Sequence, residues 1–172
     1  GRLPITFPKS LDQQPPYEDY SMKGRTYRYM EAEPMYPFGY GLSYAKFAYG
    51  DIKLSATTIK KGQSIDVDVT VSNPGQLEAE DVVQLYLTDL ASKEEQVPLF
   101  SLKGIKRVNV AQGQSQVVRC TSTPDMMAIV NTTGESVVEP GDFRVSVGGA
   151  VPIKRSIDLG VSAPAQATFR VR

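Results

Sequence analysis

With no histidine among its 172 residues, this chain has no Ser-His-Asp or Cys-His nucleophile and no histidine metal ligand. Its one cysteine, Cys120, has no partner for an intrachain disulfide and cannot build a zinc cluster. It lies in a strand-like run, residues 116–121, where a buried inert thiol is expected. Carboxylates, lysines and tyrosines remain. Glu78, Glu80 and Asp81 cluster after Asn73-Pro74-Gly75 in an expected turn, and Glu94 and Glu95 share a second polar loop. Both groups read as solvated loop charge. Calcium at the first group lacks the Asp-x-Asp-x-Asp-Gly order of an EF-hand loop. The expectation is therefore no cofactor and no metal. Gly39-x-Gly41 and Gly148-Gly149 read as turns, since neither lies between a strand and a helix that could hold an anion. Asn131-Thr132-Thr133 fits an N-glycosylation pattern, which matters only in a eukaryotic secretory host.

Tyrosine is the more informative residue type. Eight of the nine tyrosines fall between Tyr17 and Tyr49. Each offers a flat apolar face that can stack on sugar C–H groups and a hydroxyl that can hydrogen-bond. Residues 24–47, GRTYRYMEAEPMYPFGYGLSYAKF, hold most of them. Pro34 and Pro37 remove backbone donors and Gly39 and Gly41 loosen the chain, so no amphipathic helix is expected. The rings are too many for a solvated linker. An ordered connector is the reading, with Arg25, Tyr27, Arg28, Tyr29, Tyr36, Phe38, Tyr40 and Tyr44 as candidate interdomain or sugar contacts. Arg25 and Arg28 could pair with carboxylates across a domain face. The Pro and Gly interleaving predicts a meandering path that packs its rings against other protein surfaces, not a row of parallel rings.

The elements that position these residues are strands. Ile65, Val67, Val69 and Val71 alternate with Asp66, Asp68, Thr70 and Ser72, which describes a half-buried strand. The alternation recurs at Val83, Leu85 and Leu87, at Phe143, Val145 and Val147, and more weakly at Val118 and Cys120 and at Phe169 and Val171. Lys61-Gly62, Asn73-Pro74-Gly75, Gln112-Gly113 and Pro140-Gly141 supply turns between the runs. About seven strands at this spacing predict a sandwich. Residues 124–130 could form one short helical turn.

Composition agrees with a globular chain. Hydrophobic residues make up 41% and charged residues 22%, with no apolar run long enough for a membrane span. Lys plus Arg and Asp plus Glu both number 19, so there is no basic footprint for nucleic acid. Neither a membrane nor a nucleic acid is an expected partner. The length exceeds a minimal sandwich of roughly 100 residues, which fits one core plus an extension.

The elements GRTYRY (24–29) and YPFGYGLSY (36–44) resemble the connector of glycoside hydrolase family 3, the β-glucosidases and β-xylosidases. Residues 1–8, 65–75, 81–87, 102–110 and 139–149 resemble the same family in the same order. Tyr40, Ala45 and Cys120 depart from its pattern and leave the substrate subtype open. The resemblance implies an all-β, immunoglobulin/fibronectin type III-like sandwich at 51–172 with an extended, irregular N-terminal arm. Residues 17–50 would be the Tyr-rich connector and residues 1–16 the remnant of the last strand of an upstream α/β sandwich domain. It further implies a parent enzyme, periplasmic or secreted, that hydrolyses terminal β-linked sugars. Its partners would be the upstream barrel and α/β sandwich domains, with an oligosaccharide as a further contact through the connector or the loop 93–100. Retaining hydrolysis uses two carboxyl groups about 5 Å apart, and no convincing pair is visible, while the family's nucleophile and acid/base lie upstream. No catalytic residue carries over, and the chain reads as a non-catalytic module. A carbohydrate-binding module and an Ig-like adhesive module are the alternatives. Leu3, Ile5 and Phe7 give the arm strand character; few intrachain hydrogen bonds are expected before Tyr17, with disorder, folding back onto the sandwich, or self-association by pairing with a neighbouring molecule as the alternatives.

Overall fold

The computed structural model describes residues 1–92, 94 and 97–172. Seven long strands carry the fold: β1 (Ala48–Leu54), β3 (Ile65–Ser72), β4 (Ala79–Asp89), β5 (Ser101–Val110), β6 (Ser115–Ser122), β9 (Gly141–Gly148) and β10 (Ala165–Val171). Three two-residue strands complete the set: β2 (Thr58–Ile59), β7 (Ile129–Val130) and β8 (Ser136–Val137). They form a three-stranded sheet, β1-β3-β6, and a five-stranded sheet, β2-β10-β9-β4-β5, with β7 and β8 as a small separate ladder. Apart from the parallel β2–β10 pair, the ladders are antiparallel. The expected all-β sandwich is the observed one.

Period-two alternation explains how the two sheets find each other. Ile65, Val67, Val69 and Val71 of β3 are fully buried against Val83 and Leu85 of β4, Val145 and Val147 of β9 and Phe169 of β10. The intervening residues of β3 pair across the outer face, where Asp68 takes both guanidinium donors of Arg119 at 2.7 Å. Phe143 and Phe169 face each other across β9 and β10 and stack with centroids 5.6 Å apart. Gly62 and Gly113 adopt positive φ at the expected turns. Cys120 is half-buried at the same phase as Val118, not enclosed as expected, and burial pushes its thiol upward.

Among the described residues, three short α-helices and a 3₁₀ turn at Leu11–Gln13 interrupt this pattern. The turn expected at 124–130 is α2, Pro124–Met127. A single turn, α1 (Thr26–Tyr29), lies inside the connector, and α3 (Lys154–Asp158) follows β9. Neither α1 nor α3 was visible as a periodic signal, since one turn is too short to show a period.

The N-terminal arm corrects an expectation. It makes many intrachain hydrogen bonds before Tyr17. The Leu3 N–H donates to the carbonyl of Tyr40 at 2.8 Å and the Gly39 N–H returns to that of Leu3 at 2.9 Å. Phe7 forms an antiparallel bridge with Tyr36. The arm does not join the sandwich sheets; it pairs with the connector, which offers the backbone groups the arm would otherwise leave unpaired.

Candidate functional site

Strand β4 shows why the connector is ordered. Val83, Leu85 and Leu87 point into the inter-sheet core, yet Gln84 and Tyr86, on the opposite face, are also buried. A sandwich sheet with both faces dry needs a second cover, and the connector supplies it. The Gln84 amide donates to the carbonyl of Gly149 at 2.9 Å, and the Tyr86 hydroxyl donates to Gln84 Oε1 at 2.5 Å. Tyr27 stacks on Phe38 at 4.2 Å and meets Tyr86 edge-on at 6.0 Å. Further contacts fasten the path: the Leu99 N–H to the Arg28 carbonyl at 2.7 Å, the Leu102 N–H to the Tyr27 hydroxyl at 3.2 Å, and the Val151 N–H to the Phe38 carbonyl at 3.1 Å.

Glycine is required where this layer is tightest. Gly39 holds φ +76°, and a Cβ there would collide with the Gln84 side-chain amide. Gly41 is not a turn residue of that kind; a Cβ on it would strike the Gly1 carbonyl, so its role is close approach of the arm.

The eight predicted residues divide into four groups. Tyr27 and Phe38 pack inward. Arg25 clasps its own loop, donating to the carbonyls of Ser21 at 3.1 Å, Pro16 at 3.2 Å and Asp19 at 2.5 Å, instead of meeting a carboxylate. Tyr36, Tyr40 and Tyr44 face outward: Tyr36 is 41% exposed and Tyr44 fully so. Tyr36 and Tyr40 lie 5.8 Å apart and within 11° of parallel, with Phe7 edge-on to Tyr36. This outer pair is held because the arm bonds the backbone at Tyr36 and Tyr40. Tyr17 and Tyr20 are 89% exposed on the loop that Arg25 clasps. Arg28 and Tyr29 form the fourth group and line a recess of about 470 Å³ together with residues of β4, β5 and the 126–132 segment.

A second cluster went unseen in the sequence. Asp81, expected to be a solvated turn charge, is 2% exposed near the start of β4. It pairs with Arg2 of the arm and accepts the Tyr49 hydroxyl proton as a hydrogen bond. Burial, and then the Asp81 charge, push the Tyr49 phenol well above its ordinary value. The available signal was parity: Asp81 shares the phase of Val83, Leu85 and Leu87. Glu80 points the other way, toward Arg107, and Glu78 bonds Asn109 at 2.6 Å. Strand alternation therefore separates the three carboxylates, and among the described residues no cluster of three or more metal-ligating side chains occurs. Of the other expected pair, Glu94 lines the 470 Å³ recess, while Glu95 lies outside the described residues. Of the 93–100 loop, Lys93 and Gln96 lie outside them too.

The architecture defines a fibronectin type III-like sandwich, and the fibronectin type III-like domain family matches residues 81–151. The whole chain, arm and connector included, is similar to β-xylosidases and β-glucosidases. A putative β-xylosidase of Formosa agariphila is 40% identical over 152 residues, covering 86% of this chain and 20% of that protein. A periplasmic β-glucosidase of Salmonella typhimurium is 33% identical, covering 86% of this chain and 21% of that protein. A β-glucosidase structure from Erythrobacter marinus superposes with a TM-score of 0.79 at 28% identity, covering all of this chain and 22% of that one. The chain therefore belongs with the connector and fibronectin type III-like region of family 3 glycoside hydrolases, and it spans about a fifth of the length of these curated relatives.

Proposed function

We propose that this chain is the non-catalytic module of a family 3 glycoside hydrolase that removes terminal β-linked glucosyl or xylosyl units, in the periplasm or outside the cell. Its role is mechanical. The sandwich provides a rigid base, the connector is welded to the outer face of the five-stranded sheet, and the arm is locked by Arg2, Asp81 and Tyr49. The observation that carries this reading is the contrast within one connector: Tyr27 and Phe38 are packed on the sandwich, while Tyr17, Tyr20, Leu42 and Tyr44 stand in solvent on an ordered backbone. Apolar side chains fixed and exposed in this way suit a docking face for the other domains of the parent.

The role is tested by assaying aryl β-glucosides and β-xylosides with this chain alone, with the separately produced upstream domains, and with the mixture. The expected result is no turnover by the chain and a gain in activity or half-life on mixing. Turnover by the isolated chain would sink the non-catalytic assignment. The parallel Tyr36–Tyr40 pair favours a second reading, in which the connector stacks on an oligosaccharide; loss of affinity for long but not short substrates in a Tyr36→Ala parent would support it.

A further inference from the structure

The recess behind Arg28 and Tyr29 lies apart from the Tyr27, Phe38 and Tyr86 rings that pack the connector on the sheet. One wall is β4 and β5, through Asp89, Ser101 and Lys103; the other is the 126–132 segment that follows β6. Its volume, about 470 Å³, lies within the range of roughly 300–1,000 Å³ typical of small-molecule sites. Its floor is apolar, with Leu87, Met127 and Phe143, and Tyr29 contributes a half-buried ring.

Two buried polar atoms beside this recess have no hydrogen-bond partner among the described residues. They are a donor, Arg28 Nε, and an acceptor, Asp89 Oδ2. Buried polar atoms are ordinarily satisfied, so a donor and an acceptor left over on two residues that line one cavity ask for an occupant. Asp89 is held firmly, because its other oxygen accepts the N–H groups of Ala91 at 2.9 Å and Ser92 at 3.0 Å. The rim is firm too: Asn131 Oδ1 accepts the N–H groups of Thr133 at 3.0 Å and Glu135 at 2.8 Å. Lys103 lies on the same wall, and burial, with the nearby Arg28 charge second, holds its ammonium below the ordinary value.

The charges decide the class of ligand. Among the described residues of the lining, Arg28 and Lys103 are balanced by Asp89 and Glu94, so an anion gains from two groups and is repelled by two. A neutral polyol loses nothing. Adjacent pyranose hydroxyls can donate to a carboxylate and accept from an ammonium or guanidinium at once, while the apolar ring face lies on an aromatic or aliphatic floor. We propose that this recess is a binding site for a neutral sugar, with Asp89, Lys103 and Arg28 as its polar contacts and Tyr29 as its apolar wall.

The test is a titration of the ¹⁵N-labelled chain with xylobiose, cellobiose and α-linked maltose, followed by amide shifts. Saturable shifts confined to residues 28–29, 87–89, 101–103 and 126–132 are expected, with a Kd in the millimolar range, on the order of −4 kcal/mol. Asp89→Asn preserves the acceptor for the Ala91 and Ser92 amides, and Lys103→Met preserves the aliphatic stem. Each should weaken binding about fivefold, the loss of roughly one hydrogen bond, without moving Tm, and Tyr36→Ala should leave the affinity unchanged. Absence of saturable shifts with all three sugars would overturn the site, as would shifts centred on Tyr36 and Tyr40 or binding of acetate in place of sugar. The preference for β-linked probes rests on the function proposed above. Binding of maltose in preference to the β-linked sugars would keep the sugar site and count against that reading, so the two failures are separable.

Discussion

Two parts of this molecule are equally ordered for opposite reasons. In the sandwich, every second residue of β3 and its neighbours is apolar, and the sheets associate because that face must leave water. In the connector no such period exists, and order comes from glycines that admit close approach, a Tyr27–Phe38 stack set edge-on to Tyr86, and backbone bonds to the arm. Most of the sandwich core comes from its own strands, with Ala45 and Phe47 as the connector's share, whereas the connector has no core of its own. Ordered regions without periodicity therefore depend on a partner surface, and their stability should be separable from that of the body they cover.

The comparison is broken most severely from the sandwich side. Phe169→Ala removes a fully buried ring stacked on Phe143 and should cost about 3–5 kcal/mol. In urea both regions should then unfold together at lower denaturant; a loss under about 1 kcal/mol would mean that the sheets are not held by this core. Asp81→Ala acts on the joint. It removes one partner of a buried pair, a change that costs about 3–5 kcal/mol when the remaining charge stays buried; Arg2, with 21% of its side chain exposed, can return to water, so about 2–3 kcal/mol is expected. Hydrogen exchange should show the Leu3, Phe7 and Gly39 amides losing protection while Val67 and Val69 keep theirs. Equal loss in both places would erase the distinction between the two regions.

The same joint should respond to alkali. Tyr49 has a folded pKa raised above its ordinary value of 10.0 by burial and by Asp81. A raised value means that its contribution is complete below about pH 10 and falls as pH rises beyond it. Arm protection should therefore decline above that point in the native chain, and Tyr49→Phe should lack that step. Tyr86, raised chiefly by burial, should add to the loss at the connector. Gly39→Ala is smaller, about 1–2 kcal/mol for a left-handed residue, with the Gln84 contact added. It should increase proteolysis of the connector and leave the sandwich midpoint unchanged. Arg119→Ala, on the solvated face of the three-stranded sheet, removes an exposed ion pair and should give no resolvable change in the urea midpoint.

What was legible in the sequence follows the same division. Alternation at Ile65 to Val71 and at Val83 to Leu87 is a local property, since strand geometry turns every second side chain the same way whatever the strand meets. Five of the seven long strands, β3, β4, β6, β9 and β10, and the buried face of the sandwich follow from it, while β1 and β5 were not read from alternation; the tyrosine density at 17–49 marked the connector. Only the tertiary structure decided which rings went inward, that Asp81 became a buried partner for Arg2, that the arm bonded the connector, and that Arg28 and Asp89 came to one recess. Each of these joins residues separated by tens of positions, such as Arg2 and Asp81. Such pairings depend on how sheets stack and where a non-periodic segment is laid, which no local pattern encodes.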